Sequence, residues 1–392
     1  ISPELARASL TFDATAPVDR RDTSAALLGT ELMLARIEES PKRAVRTDYV
    51  DAWLRYGKRV SADYSFNFVP SRSTFAVLLG PGGSQFLQYA VEIDFENFPV
   101  ETDEAKTKYY TTVDVSLEIR NREGVLVLAD DKESFVELSR SQMEAGSGSS
   151  FSYQDGLPLV PGDFNVTVIL RNRVLHQYTV AEREVKVVAT PAEEPLLSDI
   201  VLGFQIEEDP TPGNPGSLKT FEAAGLRVHP ATDGLFAIGD TAHVFFQVAS
   251  AGADARLRIT LLDGQRIIRE HELLAAEYVE RPLDQRLDLS EMAGGTYQVR
   301  VQLVGAAGPS EQVLVEKTTS LTLSPRTAVP RPAFTARRSF DAAEPGMLAM
   351  TLGDQLWSLG RFDEARLKLE EAVAANNPKL PMADWKLAGA YV

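Results

Sequence analysis

Between about residues 61 and 325 apolar and polar side chains alternate in runs of five to nine, and this period constrains the fold more than any other feature. Tyr89-Ala90-Val91-Glu92-Ile93-Asp94-Phe95, Val113-Asp114-Val115-Ser116-Leu117-Glu118-Ile119 and Val299-Arg300-Val301-Gln302-Leu303 are examples. Period two with β-branched and aromatic enrichment predicts strands with one face on a core and one in water. No helical crossover separates the runs, so the sheets are expected to be antiparallel.

The order of signals repeats. One strand, the Arg122-Glu123-Gly124 turn and Val125-Leu126-Val127-Leu128 are answered by Leu257-Arg258-Ile259-Thr260-Leu261, the Asp263-Gly264 turn and Arg266-Ile267-Ile268. Asp-Gly between two such runs marks a hairpin, because both positions accept positive φ. Further on, Pro161-Gly162-Asp163-Phe164 ahead of one alternating strand is matched by Gly294-Gly295-Thr296-Tyr297 ahead of another. Two tandem immunoglobulin- or fibronectin-like β-sandwiches follow, at 61–190 and 196–325. No Lys or Arg lies between Val187 and Leu218, and Pro191 and Pro195 stiffen the link between the halves. Leu196–Ile206 reads as the opening strand of the second half, and Asp209–Gly216 as a loop. Residues 326–345, with Pro330, Pro332, Pro345 and four arginines, are expected to be an extended linker packed along the domains it joins. Residues 1–60 hold one readable element, a short helix at Asp48–Tyr56 with Thr47 as N-cap and Gly57 as stop.

At 346–392 the period changes to helical. Leu352, Leu356, Phe362 and Leu369 are spaced among small residues at Gly353, Gly360, Ala365 and Ala372. Leu359–Ala365 reads as a tight turn between antiparallel helices, with Gly353 and Ala365 small where they cross, and Asn376-Asn377-Pro378 stops the second helix. The pattern resembles a tetratricopeptide repeat, a helical hairpin of about 34 residues. Leu387, Ala388 and Tyr391 begin a second copy, 35 residues after Leu352, Gly353 and Leu356. Such units bury a core only when stacked, so chain beyond Val392, or another subunit, is expected to cover this end. Stacked repeats present a concave face to protein partners. The expected partner-binding residues are therefore Trp357, Arg361, Phe362, Arg366, Trp385 and Tyr391.

What is missing bounds the chemistry. The chain has no cysteine, four scattered histidines and a net charge of −16. Clustered basic residues are needed along phosphates, so nucleic acid is not an expected partner. His271-Glu272 has Ala275 where a zinc-protease motif needs its second histidine, and Gly80-Pro81-Gly82-Gly83-Ser84 lacks the Lys-Ser/Thr of a phosphate loop. Glu207, Glu208 and Asp209 lack the alternate-residue spacing of a calcium loop. No catalytic residue, cofactor or metal site is expected. No run of 18 apolar residues suggests a membrane span, and a start at Ile1 fits an exported chain whose targeting segment is missing. A periplasmic or extracellular location is expected.

The order sandwich, sandwich, Pro/Arg link and helical repeat resembles the C-terminal portion of bacterial GWxTD-domain proteins. The resemblance rests on Ser152-Tyr153-Gln154-Asp155, Val160-Pro161-Gly162-Asp163-Phe164, Leu323-Ser324-Pro325-Arg326 and the repeat. The Gly-Trp-x-Thr-Asp motif itself does not occur in the chain. The resemblance implies an exported protein and carries over no catalytic residue. Together the residues predict a non-enzymatic extracytoplasmic scaffold, with sandwiches as spacer and the helical repeat meeting one or more protein partners, as in a multi-subunit assembly. The alternative is a glycan-binding accessory module, which an exposed row of aromatics on one sheet would favour.

Overall fold

Alternation in Lys108–Asn121 places Val113, Val115, Leu117 and Ile119 on a buried face and Asp114, Ser116 and Glu118 on the opposite one. The same rule builds most of the molecule. The computed structural model describes residues 68–387 apart from 104–107, 147, 176, 190–193, 209–216, 280, 308–309, 327, 379 and 381–385. These residues belong to one compact unit spanning Ala62–Val392. The helix expected at Asp48–Tyr56 and the Asp209–Gly216 loop lie outside the described residues.

The first half contains β1 (Ser71–Leu79), β2 (Gln85–Asp94), β3 (Glu101–Thr102), β4 (Lys108–Asn121), β5 (Leu126–Ser139), the short helix α1 (Arg140–Ala145), β6 (Ser150–Pro158), β7 (Gly162–Asn172) and β8 (Tyr178–Val187). One sheet runs β3-β4-β7-β8 with β5 on β4, and a second runs β1-β2-β6. Their facing sides share one core, from Leu87, Tyr89, Val91, Phe151 and Tyr153 to Val115, Leu117, Val166 and Val168. Gly80–Ser84 is a hairpin loop between β1 and β2, and Arg122–Gly124 turns β4 into β5.

The second half contains β9 (Leu196–Leu197), β10 (Val201–Glu208), β11 (Ser217–Lys219), β12 (Glu222–Ala223), β13 (Leu226–Pro230), β14 (Leu235–Ala237), β15 (Thr241–Phe246), β16 (Val248–Ala249), β17 (Arg256–Asp263), β18 (Arg266–Leu274), β19 (Leu283–Asp288), β20 (Gly295–Ala307) and β21 (Ser310–Ser324). One sheet runs β12-β13-β10-β15-β19 and the other β14-β21-β20-β17-β18. Leu202, Val244, Phe246 and Leu287 of the first meet Leu257, Ile259, Val299 and Val301 of the second. The Asp263-Gly264 turn joins β17 to β18.

The halves are not separated by solvent. On β1 and β2, Ala76, Leu78 and Ala90 face away from the first core and pack on Val201, Phe221, Val228 and Phe245. Four sheets therefore stack in sequence, and the two inner ones are covered on both faces. The strand expected at Leu196–Ile206 is broken between β9 and β10, because the chain there turns aside to seal β1. Asp199 exchanges backbone bonds with Val77, donating its own N–H to the Val77 carbonyl at 2.9 Å and accepting the Val77 N–H on Oδ2 at 2.8 Å. Gln247 does the same for Leu79 with its side-chain amide, at 2.8 and 3.1 Å.

Part of the stretch read as a linker is a strand. β22 (Pro332–Arg337) pairs parallel to β6 as the fourth strand of the β1-β2-β6 sheet, and β23 (Ser339–Asp341) pairs with β11. Pro332 opens β22, where the missing N–H costs least. Parallel pairing also occurs between β14 and β21; the other named strand pairs are antiparallel. Two C-terminal helices follow, α2 (Met347–Ser358) and α3 (Phe362–Ala374), with no repeated helical segment among the described residues. Of the expected second copy only Lys386 and Leu387 are described.

Candidate functional site

Helices α2 and α3 form one antiparallel hairpin. Gly360, at φ 73°, makes the turn, and a Cβ on Gly353 would come within 3.0 Å of the Leu369 side chain, so glycine sets how closely the helices cross. One side of the hairpin is fixed to the β body. Leu356 and Ala365 are buried in the first half's core. Gln355 is fully buried and acts as a clasp: its Nε2 donates to the Pro158 carbonyl at 2.8 Å, and its Oε1 accepts the Val160 N–H at 3.0 Å. Both backbone groups lie at the turn between β6 and β7, which would otherwise leave them buried without partners.

The opposite side is exposed and mixed, with Ser358, Asp363, Glu364 and Glu371 among three large apolar side chains, Trp357, Phe362 and Leu367. Trp357 and Phe362 meet edge to face, with centroids 4.8 Å apart, and remain 40% and 55% exposed. Leu367 is 59% exposed. Arg361 is committed to structure: Nη1 donates to the Pro161 carbonyl at 3.2 Å, while Nε and Nη2 grip Glu364 at 2.7 and 2.6 Å. That grip holds the Glu364 carboxyl below its ordinary range. Arg366 pairs with Glu370 at 3.7 Å along α3. Trp385 and Tyr391 lie outside the described residues. Of the six residues expected to meet a partner, the structure thus brings Trp357, Phe362, Arg361 and Arg366 onto one hairpin, the aromatics exposed and the arginines ion-paired. Gln355 was not legible as a contact, since a single glutamine between Leu352 and Leu356 does not announce a buried clasp.

Elsewhere the histidines pair with carboxylates or lie along strands. His243 Nδ1 lies 2.9 Å from Asp284, and His229 Nε2 lies 3.2 Å from Glu207, with burial pushing the His229 pKa down. His271 sits in β18 opposite Ile259; His176 is outside the described residues. Among the described residues no three His, Cys, Asp or Glu side chains converge as a metal site. Between the two inner sheets, Glu92 is buried beside Arg72 at 3.6 Å and accepts from Ser150 Oγ at 3.2 Å. Burial raises its pKa to about 6 against the pull of Arg72. No helix among the described residues is long and apolar enough to cross a membrane.

No protein-family model matches the sequence, and no curated protein matches it. Among solved structures the chain is similar to a β-glucuronidase of Bifidobacterium dentium, at 9% identity over 61% of this chain and 39% of that one, with a TM-score of 0.22. A trypsin-activated alpha-2-macroglobulin of Escherichia coli matches at 13% identity over 67% of this chain and 17% of that one, TM-score 0.21. A β-glucuronidase of Ruminococcus gnavus matches at 12% identity over 61% and 36%, TM-score 0.18. The chain thus covers well under half the length of these proteins, and similarity at this level supports no conclusion about fold family or activity.

Proposed function

We propose that the chain is a non-enzymatic, extracytoplasmic scaffold whose β body is a spacer and whose helical hairpin is the surface for a protein partner. In this reading the β halves are immunoglobulin- or fibronectin-like sandwiches, the hairpin is a unit of tetratricopeptide type, and the chain is a relative of GWxTD-domain proteins. The exposed Trp357–Phe362 pair carries the reading, because it sits on an element whose other side is clasped to the core. Aromatic residues on a pre-fixed surface are the common anchors of protein interfaces, since they bury much area for little lost rotamer freedom. The partner contact falls on Trp357, Phe362 and Leu367, with Arg366 at the margin.

The test is co-purification from an envelope extract, with the full chain as bait, comparing wild type with a Trp357→Ala/Phe362→Ala variant. The expected result is loss of at least ten-fold in recovered partner, the order set by one or two anchor residues. Equal recovery with both baits would remove the hairpin from the account. The glycan-binding alternative has one observation in its favour, the stacked Tyr110 and Phe135 rings, with centroids 6.5 Å apart. Binding to polysaccharide that is lost in Phe135→Ala and kept in the hairpin variant would favour it.

A further inference from the structure

β5 bounds its sheet on one side, and from Leu128 onward its even-numbered residues turn inward, with Val136 and Leu138 buried. Two of those inward positions are Asp130 and Lys132. A charge pointing inward from an edge strand guards that edge against unwanted pairing, but such a guard needs no matched partner. Lys132 has two: its Nζ lies 2.7 Å from Asp130 Oδ2 and 2.7 Å from Asp155 Oδ2. Asp155 belongs to β6 of the facing sheet and is 1% exposed. Its Oδ1 accepts the Gly156 N–H at 2.8 Å, and its Oδ2 accepts the Tyr153 hydroxyl at 3.2 Å. Tyr89, the cross-strand neighbour of Asp155, and Tyr153 are both fully buried. Amine, acyl carbon, a second carboxylate and two donors on the acyl oxygens are thus assembled across the two sheets.

We propose that Lys132 and Asp155 condense to an isopeptide bond joining the two sheets of the first half. Asp130 takes a proton from the ammonium, and the freed Nζ attacks the Asp155 carboxyl carbon. The Gly156 N–H holds the charge that develops on Oδ1. As the intermediate collapses, Oδ2 leaves as water, carrying the proton held by Asp130 and a second proton from Nζ. One C–N bond forms and one C–O bond breaks. An ammonium and a carboxylate become a neutral amide and one water, with no oxidant and no change in net charge. The site favours the product because a buried carboxylate facing a half-buried ammonium is costly to keep from water, whereas an amide is less so. At rest the two carboxylates hold the Lys132 pKa up, although burial alone would lower it. Asp130, 2.7 Å from Nζ, is the group placed to take that proton. This inference is independent of the scaffold reading.

Intact-mass measurement of the denatured full chain tests it. The wild type is expected to fall short of its sequence mass by one water, and Lys132→Ala and Asp155→Ala to match theirs. Asp155→Asn is expected to lose one ammonia instead. Asp130→Asn is expected to slow the loss at least ten-fold, in line with the usual contribution of a positioned base. Proteolysis is expected to give one branched peptide joining the segments around 132 and 155. Asp155-Gly156 can also lose water by closing a succinimide, so the Lys132→Ala variant is decisive. A deficit that persists there, or that disappears on mild alkaline hydrolysis, overturns the proposal, as does a wild type that stays at full mass on prolonged incubation.

Discussion

Glu92 lies in a strand whose alternation assigns it to water, yet it is 3% exposed because a second sheet covers that face. Gln88, Ser152 and Gln154 share this position. The period-two pattern reports that a residue's side of the sheet is less apolar than the other side; it does not report whether another layer lies upon it. The burial of Glu92 has a measurable consequence. Its folded pKa is about 6 against an ordinary 4.5, so the folded state binds this proton more tightly than the unfolded chain. Stability from this group is therefore full below 4.5 and is lost as pH rises through about 6. The loss reaches about 2 kcal/mol, since each pKa unit is worth about 1.4. Glu92→Gln is expected to raise the urea midpoint at pH 8 and to flatten its decline between pH 4.5 and 7. An unchanged pH profile in the variant would show that Glu92 ionises without cost.

Among the elements, the hairpin and the turns were the most legible. Gly353, Gly360 and Ala365 mark a close helix crossing by size alone, and the Asp263-Gly264 turn by its chemistry. β22 was not legible, because Pro332–Arg337 has no alternation of its own and becomes a strand only by lying against β6. The break between β9 and β10 was hidden for a similar reason: what bends the chain is the demand of β1 for partners, met by Asp199 and Gln247 from far along the sequence. The crossing is open to test. A Cβ at 353 would stand 3.0 Å from the Leu369 side chain and 3.5 Å from the Ala365 carbonyl, so the larger valine must displace Leu369 or part the helices. Gly353→Val is expected to cost about 1–3 kcal/mol, the usual range for overpacking. It should also raise hydrogen exchange in Met347–Ala374 more than in the β body. Equal exchange in both regions would mean that the hairpin does not depend on close crossing.

At the scale of the whole molecule, the sequence separates two β halves, and the structure stacks them. The core that Ala76, Leu78 and Ala90 form with Val201 and Phe245 makes the inner sheets common to both. β22 then returns from the second half to complete a sheet of the first. A body tied in this way has few internal joints, which suits a spacer, and it places the hairpin at a fixed position on the first half. The account stands or falls on whether a partner meets that hairpin. The direct measurement is photo-crosslinking with a benzophenone side chain at Leu367 on α3 and, in a second protein, at Ile267 on β18, both exposed. The account predicts a crosslinked partner from position 367 and none from 267. A crosslink from 267 with none from 367 would contradict it.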